Sequence, residues 1–456
     1  MQILAGSRHF WLTNAHIPVA LLTQAVSPQT RDGLALMDIE IRDGHVVQIC
    51  LAGAAEATVD AIDLRRGIVF PCFADLHTHL DKGHTWERTP NPTGHFEAAL
   101  EALGRDSESY WQFKDIYRRM EFGLKCSYSH GSKAVRTHLD SGGALAETNF
   151  AAFAKLREEW RDRLHLQAVS LVPLDYWLTP EGERLADRVA EYGGILGGVT
   201  FKNPDLDAQI ERTFDLAHER GLNLDFHVDE SPDPESDALY RIARTAQRHA
   251  FSGQIVCGHC CSLSLQDPEQ AIATIEAVKG VGIGVVSLPL CNLYLQDRDQ
   301  EASLNLSHLV SSHSLAHLEN QPTYTPRWRG VTLLHELKHA GIPVAVANDN
   351  CRDAFHAFGD HDMLEVFRES TRIAHFDTPY ADWSRTVTTT PADLMGLPTV
   401  GRIGTGLPAD LVLFSSARYF SELLSRPQSD RTVLRNGKAI DTRLPSYEEL
   451  DDLVAR

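Results

Sequence analysis

The chain has 456 residues, of which 43% are hydrophobic and 23% are charged, a composition typical of a globular protein. The formal net charge of −19 argues against a nucleic-acid or membrane partner, since anionic surfaces bind basic patches. No run of about 18 apolar residues is present that could span a bilayer. The N-terminal stretch lacks an apolar signal core followed by a cleavage site. Because the eight cysteines also show no disulfide-framework spacing, we expect a cytoplasmic protein.

The first predicted elements are antiparallel strands near the N-terminus. The segments "FWLTNAHIP", "LALMDIEIRDGHVVQIC" and "ATVDAIDLRRGIVF" alternate apolar and polar residues, with a D-G turn at 43–44. Near the C-terminus, "GRIGTGLPADLVLFSS" and "TVLRNGKAIDTRL" alternate in the same way, the second with an N-G turn. Neither group is long enough to bury its own core. We therefore predict one small composite β-sandwich domain, formed by residues 1–70 and 398–456.

Strand and helix patterns alternate between these ends, over residues 71–397. Each strand candidate is a nearly continuous apolar run, as expected for a parallel sheet that is buried on both faces. The eight candidates are "IVFPCFADLHTH" and residues 133–140, 165–174, 195–202, 222–230, 254–263, 282–292 and 342–350. Eight such units predict an α/β fold, a (β/α)₈ TIM barrel. A doubly wound sheet is disfavoured by the number of units and by the absence of a Gly-rich phosphate turn.

Two histidines stand one residue apart in "FADLHTHLDKG", residues 73–83, at the end of the first barrel strand. Residues i and i+2 of a strand point to the same face, so His77 and His79 would present two imidazoles side by side. Asp75 and Asp81 would share that face if the strand ran so far. Two convergent imidazoles suit a borderline-soft divalent metal. For this motif alone, a strand-end turn with two solvated histidines remains an equal alternative.

The other unusual polar residues also fall at the ends of predicted barrel strands. They are His138, Asp140, Lys202, His227, Glu230, His259, Asp349 and Asn350. Chemistry in barrel enzymes is located at the C-terminal ends of the strands. Chance would scatter such residues along strands and helices, so their common placement predicts a functional site.

These strand ends carry a family resemblance. An H-x-H on the first strand, histidines on the fifth and sixth, and an aspartate after the eighth resemble the amidohydrolase superfamily, and the terminal β segments extend the likeness over the whole chain. More closely, "HTHLDKGHT", "VRTHLD", "DFHVDE", "GHCCSLS", "NLYLQDR" and "NDN" resemble the bacterial cytosine deaminase group. "DKGHT" and "NDNCRD" are similar to its triazine aminohydrolase relatives. The resemblance implies a hydrolase that deaminates a small aminated nitrogen heterocycle at a carbon–nitrogen bond other than a peptide bond.

The resemblance also implies a role for each matching residue. One divalent ion per subunit, Zn²⁺ or Fe²⁺ with Mn²⁺ also compatible, would be held by His77, His79, His227 and Asp349. Such an ion lowers the pKa of a water from about 15.7 toward roughly 7–9. Glu230, which completes an H-x-x-E motif with His227, would carry protons between the substrate ring and the leaving amine. His259 would donate to the developing oxyanion, and Asp349 would also accept a proton from the water.

The third barrel strand departs from the cytosine deaminase pattern. It ends "LVPLDYW" and has Leu174 where the cytosine enzymes read the pyrimidine with a glutamine. Leucine cannot form a hydrogen bond, so we expect cytosine to be a poor substrate or none at all. Asp175 could replace the reader if the loop shifts. The expected substrate contacts are Leu174, Asp175, Asn350, Phe355, Trp86 and Lys82, with Phe355 and Trp86 as ring-stacking partners.

Two other functions stay open at this point. A carbamylated Lys202 at the end of strand four would bridge two metals and suit a binuclear cyclic-amide hydrolase or an N-dealkylating triazine-type hydrolase. A salt-bridged Lys202 is the plainer alternative. The chain could also be a catalytically inactive barrel that only binds, although its intact ligand set argues against this. We further expect a homo-oligomer, and a functional or mobile insertion at residues 297–329, after strand seven.

Overall fold

The computed structural model describes residues 7–53, 59–298 and 326–454 of the chain. The described strands are β1 (His9–Pro18), β2 (Leu34–Arg42), β3 (His45–Leu51), β4 (Ala61–Asp63), β5 (Ile68–Pro71), β6 (Phe73–Thr78), β7 (Ser132–Asp140), β8 (His165–Leu171), β9 (Leu196–Val199), β10 (Leu224–Val228), β11 (Ile255–His259), β12 (Gly284–Ser287), β13 (Val344–Val346), β14 (Leu411–Phe414), β15 (Thr432–Arg435) and β16 (Lys438–Ala439). The described helices are α1 (Phe96–Tyr110), α2 (Phe113–His130), α3 (Leu145–Trp160), α4 (Pro180–Glu191), α5 (Leu206–Arg220), α6 (Ala238–Arg248), α7 (Pro268–Val281), α8 (Pro289–Leu295), α9 (Leu334–His339), α10 (Met363–Ala374), α11 (Tyr380–Trp383), α12 (Thr389–Leu394), α13 (Phe420–Leu423) and α14 (Asp451–Val454).

Strands from both ends of the chain form one eight-stranded sheet. Its order is β16-β15-β14-β5-β1-β2-β3, with β4 beside β1, so the antiparallel pair β5–β14 joins the two ends of the chain. The two predicted turns are present, since Asp43, Gly44, Asn436 and Gly437 all have φ angles between 46° and 83°. Such positive angles are what two-residue hairpin turns need. The predicted domain boundaries, 1–70 with 398–456 and 71–397, remain a prediction.

Alternate residues along the strands of this terminal sheet pack into two different hydrophobic cores. On β5, Ile68 and Phe70 pack into the core of the barrel, whereas Val69 packs into the sheet's own core. On β14, Val412 faces the barrel core and Leu411 the sheet core. Side chains of a strand alternate between its faces, so one face of the sheet covers the barrel and the other closes a second, smaller core.

Strands β6 to β13 are parallel and close into a barrel in chain order. They form a ladder of three strands, β6 to β8, and a ladder of five strands, β9 to β13. The parallel bridge between Val169 and Ile195 joins the two ladders on one side, and the bridge between Thr78 and Asp349 joins them on the other. All eight predicted barrel strands are therefore present and in the predicted order. The predicted fold class, a TIM barrel with a separate β domain, is confirmed.

None of the described helices is long and apolar enough to cross a membrane. All eight cysteines are free, and all but Cys50 are buried. Burial raises the pKa of Cys257 and of its neighbours Cys260 and Cys261 well above the usual range, so these thiols are protonated and unreactive at neutral pH.

A buried ion network holds the connection between β6 and β7. The side chain of Arg88 is fully buried and forms salt bridges of 2.7 Å to Asp106 on α1 and of 2.7 Å to Asp115 on α2. Arg119 on α2 lies 2.8 Å from Asp115 and also donates to the carbonyl of Asp81. Two arginines and two aspartates balance, so the charges compensate one another in a buried site. The network fixes both helices to the loop that follows β6.

Removing one cation of this network should destabilise the protein. An Arg88→Met substitution leaves Asp106 and Asp115 incompletely compensated, and breaking a buried pair in this way costs about 3–5 kcal/mol. We expect chemical denaturation to show a loss of this size in the free energy of unfolding. Arg105→Ala on α1 is the control, because its pair with Glu101 is exposed and 3.9 Å long, and such pairs contribute little. A loss below about 1 kcal/mol in Arg88→Met would contradict the assigned role.

Candidate metal centre and active site

Four buried side chains converge at the C-terminal end of the barrel. His77 lies on β6, His79 follows it, His227 lies on β10 and Asp349 follows β13. The Nε2 atom of His227 lies 3.2 Å from Nε2 of His77 and 3.2 Å from Nε2 of His79. The Oδ1 atom of Asp349 lies 3.5 Å from Nε2 of His77 and 3.2 Å from Nε2 of His79. One atom from each residue therefore lies within 4.8 Å of the others, as in a metal site.

The donor set fits a divalent cation. Zinc binds histidine nitrogen and carboxylate oxygen at about 2.0–2.2 Å in tetrahedral geometry, which separates the ligand atoms by roughly 3.3 Å. The observed separations of 3.2–3.5 Å agree with this spacing. Both carboxylate oxygens of Asp349 are buried and lack a hydrogen-bond donor among the described residues. Because a buried carboxylate without compensation is costly, a cation is the group that this cluster can hold.

The backbone places Asp349 beside the two histidines of the first barrel strand. Its amide donates to the carbonyl of His77 at 2.8 Å, and its carbonyl accepts from the amide of His79 at 3.3 Å. The hydroxyl of Thr78 donates to the same carbonyl at 2.9 Å. Asp349 has a left-handed φ angle of 63°, which is uncommon for a residue other than glycine. The bonds that close the barrel hold the residue in this strained conformation.

A second layer of buried groups supports His77. The ring of His138 lies over it with centroids 3.9 Å apart, and Nε2 of His138 lies 3.8 Å from Asp225. These three residues lie close enough to hold an ion as well, but Arg136 already compensates Asp225 through a salt bridge of 2.7 Å. On β11, a Cβ atom at Gly258 would lie 3.1 Å from Cε1 of His77. Because glycine has no side chain, this position leaves room for the imidazole ring of His77.

One side-chain amide contacts two of the three residues that were predicted to be catalytic. The buried Asn292 on α8 has its Nδ2 atom 2.9 Å from Oε1 of Glu230 and 3.0 Å from Nδ1 of His259. Asn292 is assigned as the donor, so the neutral ring of His259 carries its proton on Nε2. That atom is buried and has no hydrogen-bond partner in the described part of the chain. It is free to donate to a bound substrate or water.

Burial sets the protonation states of the site. It lowers the pKa of His79 to about 3 and that of His259 to about 4, so both rings are neutral at pH 7. Burial alone would raise the pKa of Asp349, but its contacts with His77 and His79 outweigh it and hold the pKa well below the usual range. Neutral imidazole and ionised carboxylate are the forms that bind a metal. For Glu230, burial and then the charge of Asp349 raise the pKa well above the usual range, which favours the protonated form.

A cavity lies next to the ligand cluster. Its polar lining consists of His79, Lys82, Asp140, His227, Glu230, His259, Asp349 and Asn350. Its apolar lining consists of Phe96, Leu100, Leu103, Leu171, Val172, Pro173, Val199, Phe201 and Phe355. Apolar walls with a few convergent polar groups are typical of small-molecule sites. A flat ring with a polar edge fits this distribution.

Three of the predicted substrate contacts line the cavity, namely Lys82, Asn350 and Phe355. The Nζ atom of Lys82 lies 5.1 Å from the centroid of the Phe355 ring and 3.1 Å from Oδ2 of Asp140. Burial alone would lower the pKa of Lys82, but Asp140 and other nearby carboxyl groups raise it, so the side chain is a cation. Asn350 donates to Asp353 at 2.8 Å. The contacts of these residues with a substrate remain predictions.

Leu174 and Asp175 do not line the cavity, which corrects the predicted role of this segment. The backbone turns into a 3₁₀ helix, Leu174–Leu178, directly after the strand end. The turn buries Leu174 in the core of the barrel against Gly198 and leaves Asp175 exposed. The third barrel strand instead presents apolar atoms of the preceding residues, 171–173, to the cavity.

Trp86 and Lys202 also lie elsewhere. Trp86 is half-buried, is not part of the cavity lining, and its amide donates to the carbonyl of Arg352 at 2.9 Å, so the predicted stacking role of Trp86 is corrected. Lys202 is exposed, and its Nζ atom lies 2.7 Å from Asp233 and 2.9 Å from Glu235. It is therefore the salt-bridged cation of the plainer interpretation and lies outside the ligand cluster.

The remaining predictions concern two acids and an insertion. Asp75 accepts from the side chain of Asn348 at 2.9 Å, and Asp81 accepts from the amide of Asp140 at 2.7 Å. Neither acid belongs to the ligand cluster. Asp75 lies on β6 and is bound to Asn348, whereas Asp81 lies beyond the end of this strand at Thr78. Most of the predicted insertion 297–329, namely residues 299–325, lies outside the described residues.

Several residues of the site and of the cavity lining were not predicted from the sequence. Asn292 stands in the motif "NLYLQDR", which is part of the family resemblance. That motif was the sequence signal from which a role of Asn292 could have been predicted. Phe96, Leu100 and Leu103 occur at helical spacing along α1 and form one apolar face. That spacing predicts the face but not the cavity that it covers.

Comparison with known proteins agrees with this geometry. The amidohydrolase family matches residues 151–440. A pterin deaminase of Rhizobium rhizogenes is 48% identical over 450 residues, which are 98% of this chain and 98% of that protein. An N-isopropylammelide isopropyl amidohydrolase of a Pseudomonas species is 23% identical over 421 residues, 89% of this chain and 94% of that protein. The structure of a 5-methylcytosine deaminase of Klebsiella pneumoniae matches with a TM-score of 0.77 and 25% identity, covering 96% of this chain and 98% of that one.

These matches confirm the predicted resemblance to amidohydrolases, including deaminases and triazine hydrolases. The family match covers more than half of the chain, and the similarity to the Rhizobium protein covers nearly all of it. The cluster of three histidines and one aspartate supplies a group that could hold a metal. The chain therefore belongs to the amidohydrolase family and is a hydrolase that acts on carbon–nitrogen bonds.

Proposed function

We propose that this protein is a metal-dependent hydrolytic deaminase of an aminated pteridine, and that pterin is a substrate. The observation that carries the proposal is the carboxyl group of Glu230, which lines the same cavity as the ligand cluster and lies 3.4 Å from His259. Burial raises the pKa of this group, which favours its protonated form. Deamination of a heterocycle needs a proton for the ring nitrogen and for the leaving amine. The 48% identity with a pterin deaminase supports a pteridine as the ring.

We propose one divalent ion per subunit, Zn²⁺ or Fe²⁺ with Mn²⁺ compatible, held by His77, His79, His227 and Asp349. Bound there, it would lower the pKa of a water from about 15.7 toward roughly 7. The second group of buried ligands supports His77 instead of a second ion, because Arg136 occupies the position next to Asp225.

The chain's own residues move the protons of the reaction. The ionised Asp349 accepts a proton from the attacking water, and Nε2 of His259 donates to the oxygen of that water. Glu230 gives its proton to the ring nitrogen beside the reacting carbon and then helps to protonate the leaving amine. One carbon–oxygen bond forms and one carbon–nitrogen bond breaks, so water and the amino heterocycle give a ring carbonyl and ammonia. Acid–base catalysis of this kind contributes about 10²–10⁴-fold in rate.

The apolar part of the cavity supports a bicyclic ring. Leu100 and Phe201 line it and are 42% and 43% exposed, so they lie at its opening. A second fused ring directed toward them would cover apolar surface that a single pyrimidine ring leaves in contact with water. The free cysteines support a cytoplasmic location. That location and a homo-oligomeric state remain proposals.

Ammonia release from pterin, cytosine, methylcytosine and an aminotriazine tests the proposed function. We expect kcat/KM for pterin to exceed that for cytosine by at least about 100-fold, the scale at which a site rejects a mismatched polar edge. Glu230→Gln should keep the metal and lower kcat by at least about 100-fold, because only the proton carrier is lost. Glu235→Gln is the matched control, since its side chain is 81% exposed. Faster turnover of cytosine would exclude the pteridine assignment, and no ammonia from any compound would exclude a deaminase.

Replacing a ligand tests the metal centre. His227→Ala should lower the metal content of the purified protein and abolish turnover, because one of four ligands is lost. Elemental analysis of the unmodified protein should give one ion per chain, whereas two would favour a binuclear hydrolase. His165→Ala, at an exposed position on β8, is the control and should keep the metal. Full metal content in His227→Ala would show that the ligand assignment is wrong.

Asn292 is proposed as a positioning residue for Glu230 and His259. Its hydrogen bond lowers the pKa of Glu230 against the larger effect of burial, so Asn292→Ala should raise that pKa further. An acid that must be protonated loses activity as pH rises through its pKa, so the alkaline limb of kcat/KM should move to higher pH while kcat falls. A fall in kcat with an unchanged pH profile would point to a structural role alone.

A further inference from the structure

We propose that Lys82 and Asp140 read the substrate as a pair and select one class of heterocycle. In this class, a ring N–H lies directly beside the carbon that carries the amino group, and a carbonyl follows it. Pterin, guanine and isocytosine belong to the class, and cytosine does not. The inference rests on the proposed deaminase function and names the edge of the substrate that the site recognises.

Both residues are buried in the wall of the cavity with their charged ends in contact. The side chains of Lys82 and Asp140 are only 5% and 18% exposed. The Nζ atom of Lys82 lies 3.3 Å from Oδ1 of Asp140 and 3.1 Å from Oδ2. Oδ2 is buried, and apart from this salt-bridge contact with Nζ it has no hydrogen-bond partner among the described residues. The ammonium of Lys82 has three N–H groups and a carboxylate oxygen can accept more than one hydrogen bond, so the pair retains a donor and an acceptor for a ligand.

The surrounding residues fix the position of this pair but leave part of its hydrogen-bonding capacity unused. The amide of Asp140 donates to Asp81 at 2.7 Å, and the side chain of Asn149 donates to the carbonyl of Asp140 at 2.7 Å. These bonds fix the backbone at the end of β7 and leave the carboxylate to the cavity. A buried ion pair is weak evidence for a stabilising role, since desolvation offsets its attraction. Its place in the cavity wall is better explained by recognition.

Lysine can only donate hydrogen bonds, and an ionised carboxylate can only accept them. A cyclic amide edge offers the complementary pair, a carbonyl that accepts and an N–H that donates. The carbonyl would bind Lys82 and the N–H would bind Asp140. A ring edge with two donors or with a C–H leaves one member of the pair unmatched in a buried site, which weakens binding roughly ten- to a hundredfold.

The same orientation suits the reaction. In pterin, the carbon with the amino group has a ring nitrogen without hydrogen on one side and the amide edge on the other. The bare nitrogen would face Glu230, and the amide edge would face Lys82 and Asp140. In cytosine, the corresponding carbon is flanked by a bare nitrogen and a C–H, and the amide edge lies across the ring. Cytosine placed for reaction would leave the pair unmatched.

Equilibrium binding to the metal-loaded Glu230→Gln protein tests the inference without turnover. The probes are pterin against its diamino analogue, in which an amino group replaces the carbonyl, and isocytosine against 2-aminopyrimidine, which has no amide edge in any orientation. We expect the first member of each pair to bind at least about tenfold more tightly. Lys82→Met and Asp140→Asn, introduced into the same protein, should bring both ratios close to one. Lys155→Met is the matched control, because that lysine is 52% exposed, and it should preserve the ratios.

The outcomes separate this inference from the proposed function. Equal binding within each pair, or variants that weaken both members equally, would overturn the inference even if the unmodified protein deaminates pterin. Selective binding with no ammonia release by the unmodified protein would support the recognition and overturn the deaminase. Lys82→Arg keeps a cation that can donate and should retain the preference for the carbonyl if Lys82→Met fails to fold. Loss of that preference in a folded, metal-loaded Lys82→Arg protein would count against the pair.

Discussion

The closure of the barrel between β6 and the end of β13 is the interaction on which the site depends. Backbone hydrogen bonds join Asp349 to His77 and His79, so residues from opposite ends of the barrel segment become neighbours. The same bonds hold Asp349 in a left-handed conformation with its carboxylate among imidazoles and without a donor in the described structure. The folded barrel thus contains a buried negative charge that a cation would compensate. An ion bound by this cluster would therefore stabilise the folded barrel, because the cluster exists only when the barrel is closed.

Burial shifts the pKa values of the cavity residues in two opposite directions. It lowers the pKa of histidines, as at His79 and His259, and it raises the pKa of Glu230. Both effects disfavour charge in an apolar surrounding. Asp349 is the exception because its contacts with the ligand histidines outweigh burial. Neutral ligands, an ionised base and a protonated acid can therefore coexist at one pH, which is the arrangement that acid–base catalysis needs.

The sequence predicted those parts of the fold and site that depend on local periodicity. Apolar runs located the eight barrel strands, and the i, i+2 spacing predicted that His77 on β6 and His79 directly after it lie side by side. It failed at Leu174 and Trp86 because the direction of a side chain after a strand depends on the turn that follows. The 3₁₀ turn at Leu174 buries a residue that a simple strand end would expose to the cavity. Asn292 was missed for a related reason, since its contacts arise from the packing of α8 against two strand ends.

Asp140, a polar residue of the cavity, lies on β7, a strand that carries no residue of the ligand cluster, so substrate specificity can change while the ligand cluster stays the same. The ligands come from β6, β10 and the loop after β13, whereas β7 supplies Asp140 and the third barrel strand supplies only apolar wall. In the recognition proposed above, residues of the first and second barrel strands contact the substrate ring instead of a polar residue of the third strand, and the cluster residues keep their positions. Lys82 and Asp140 occupy those positions, next to Asp81, whose bond to the Asp140 amide keeps the second strand end in register with the first. If Lys82 and Asp140 bind the substrate as proposed, these two strand ends determine which edge of the ring is recognised, while the reacting carbon stays next to the cluster.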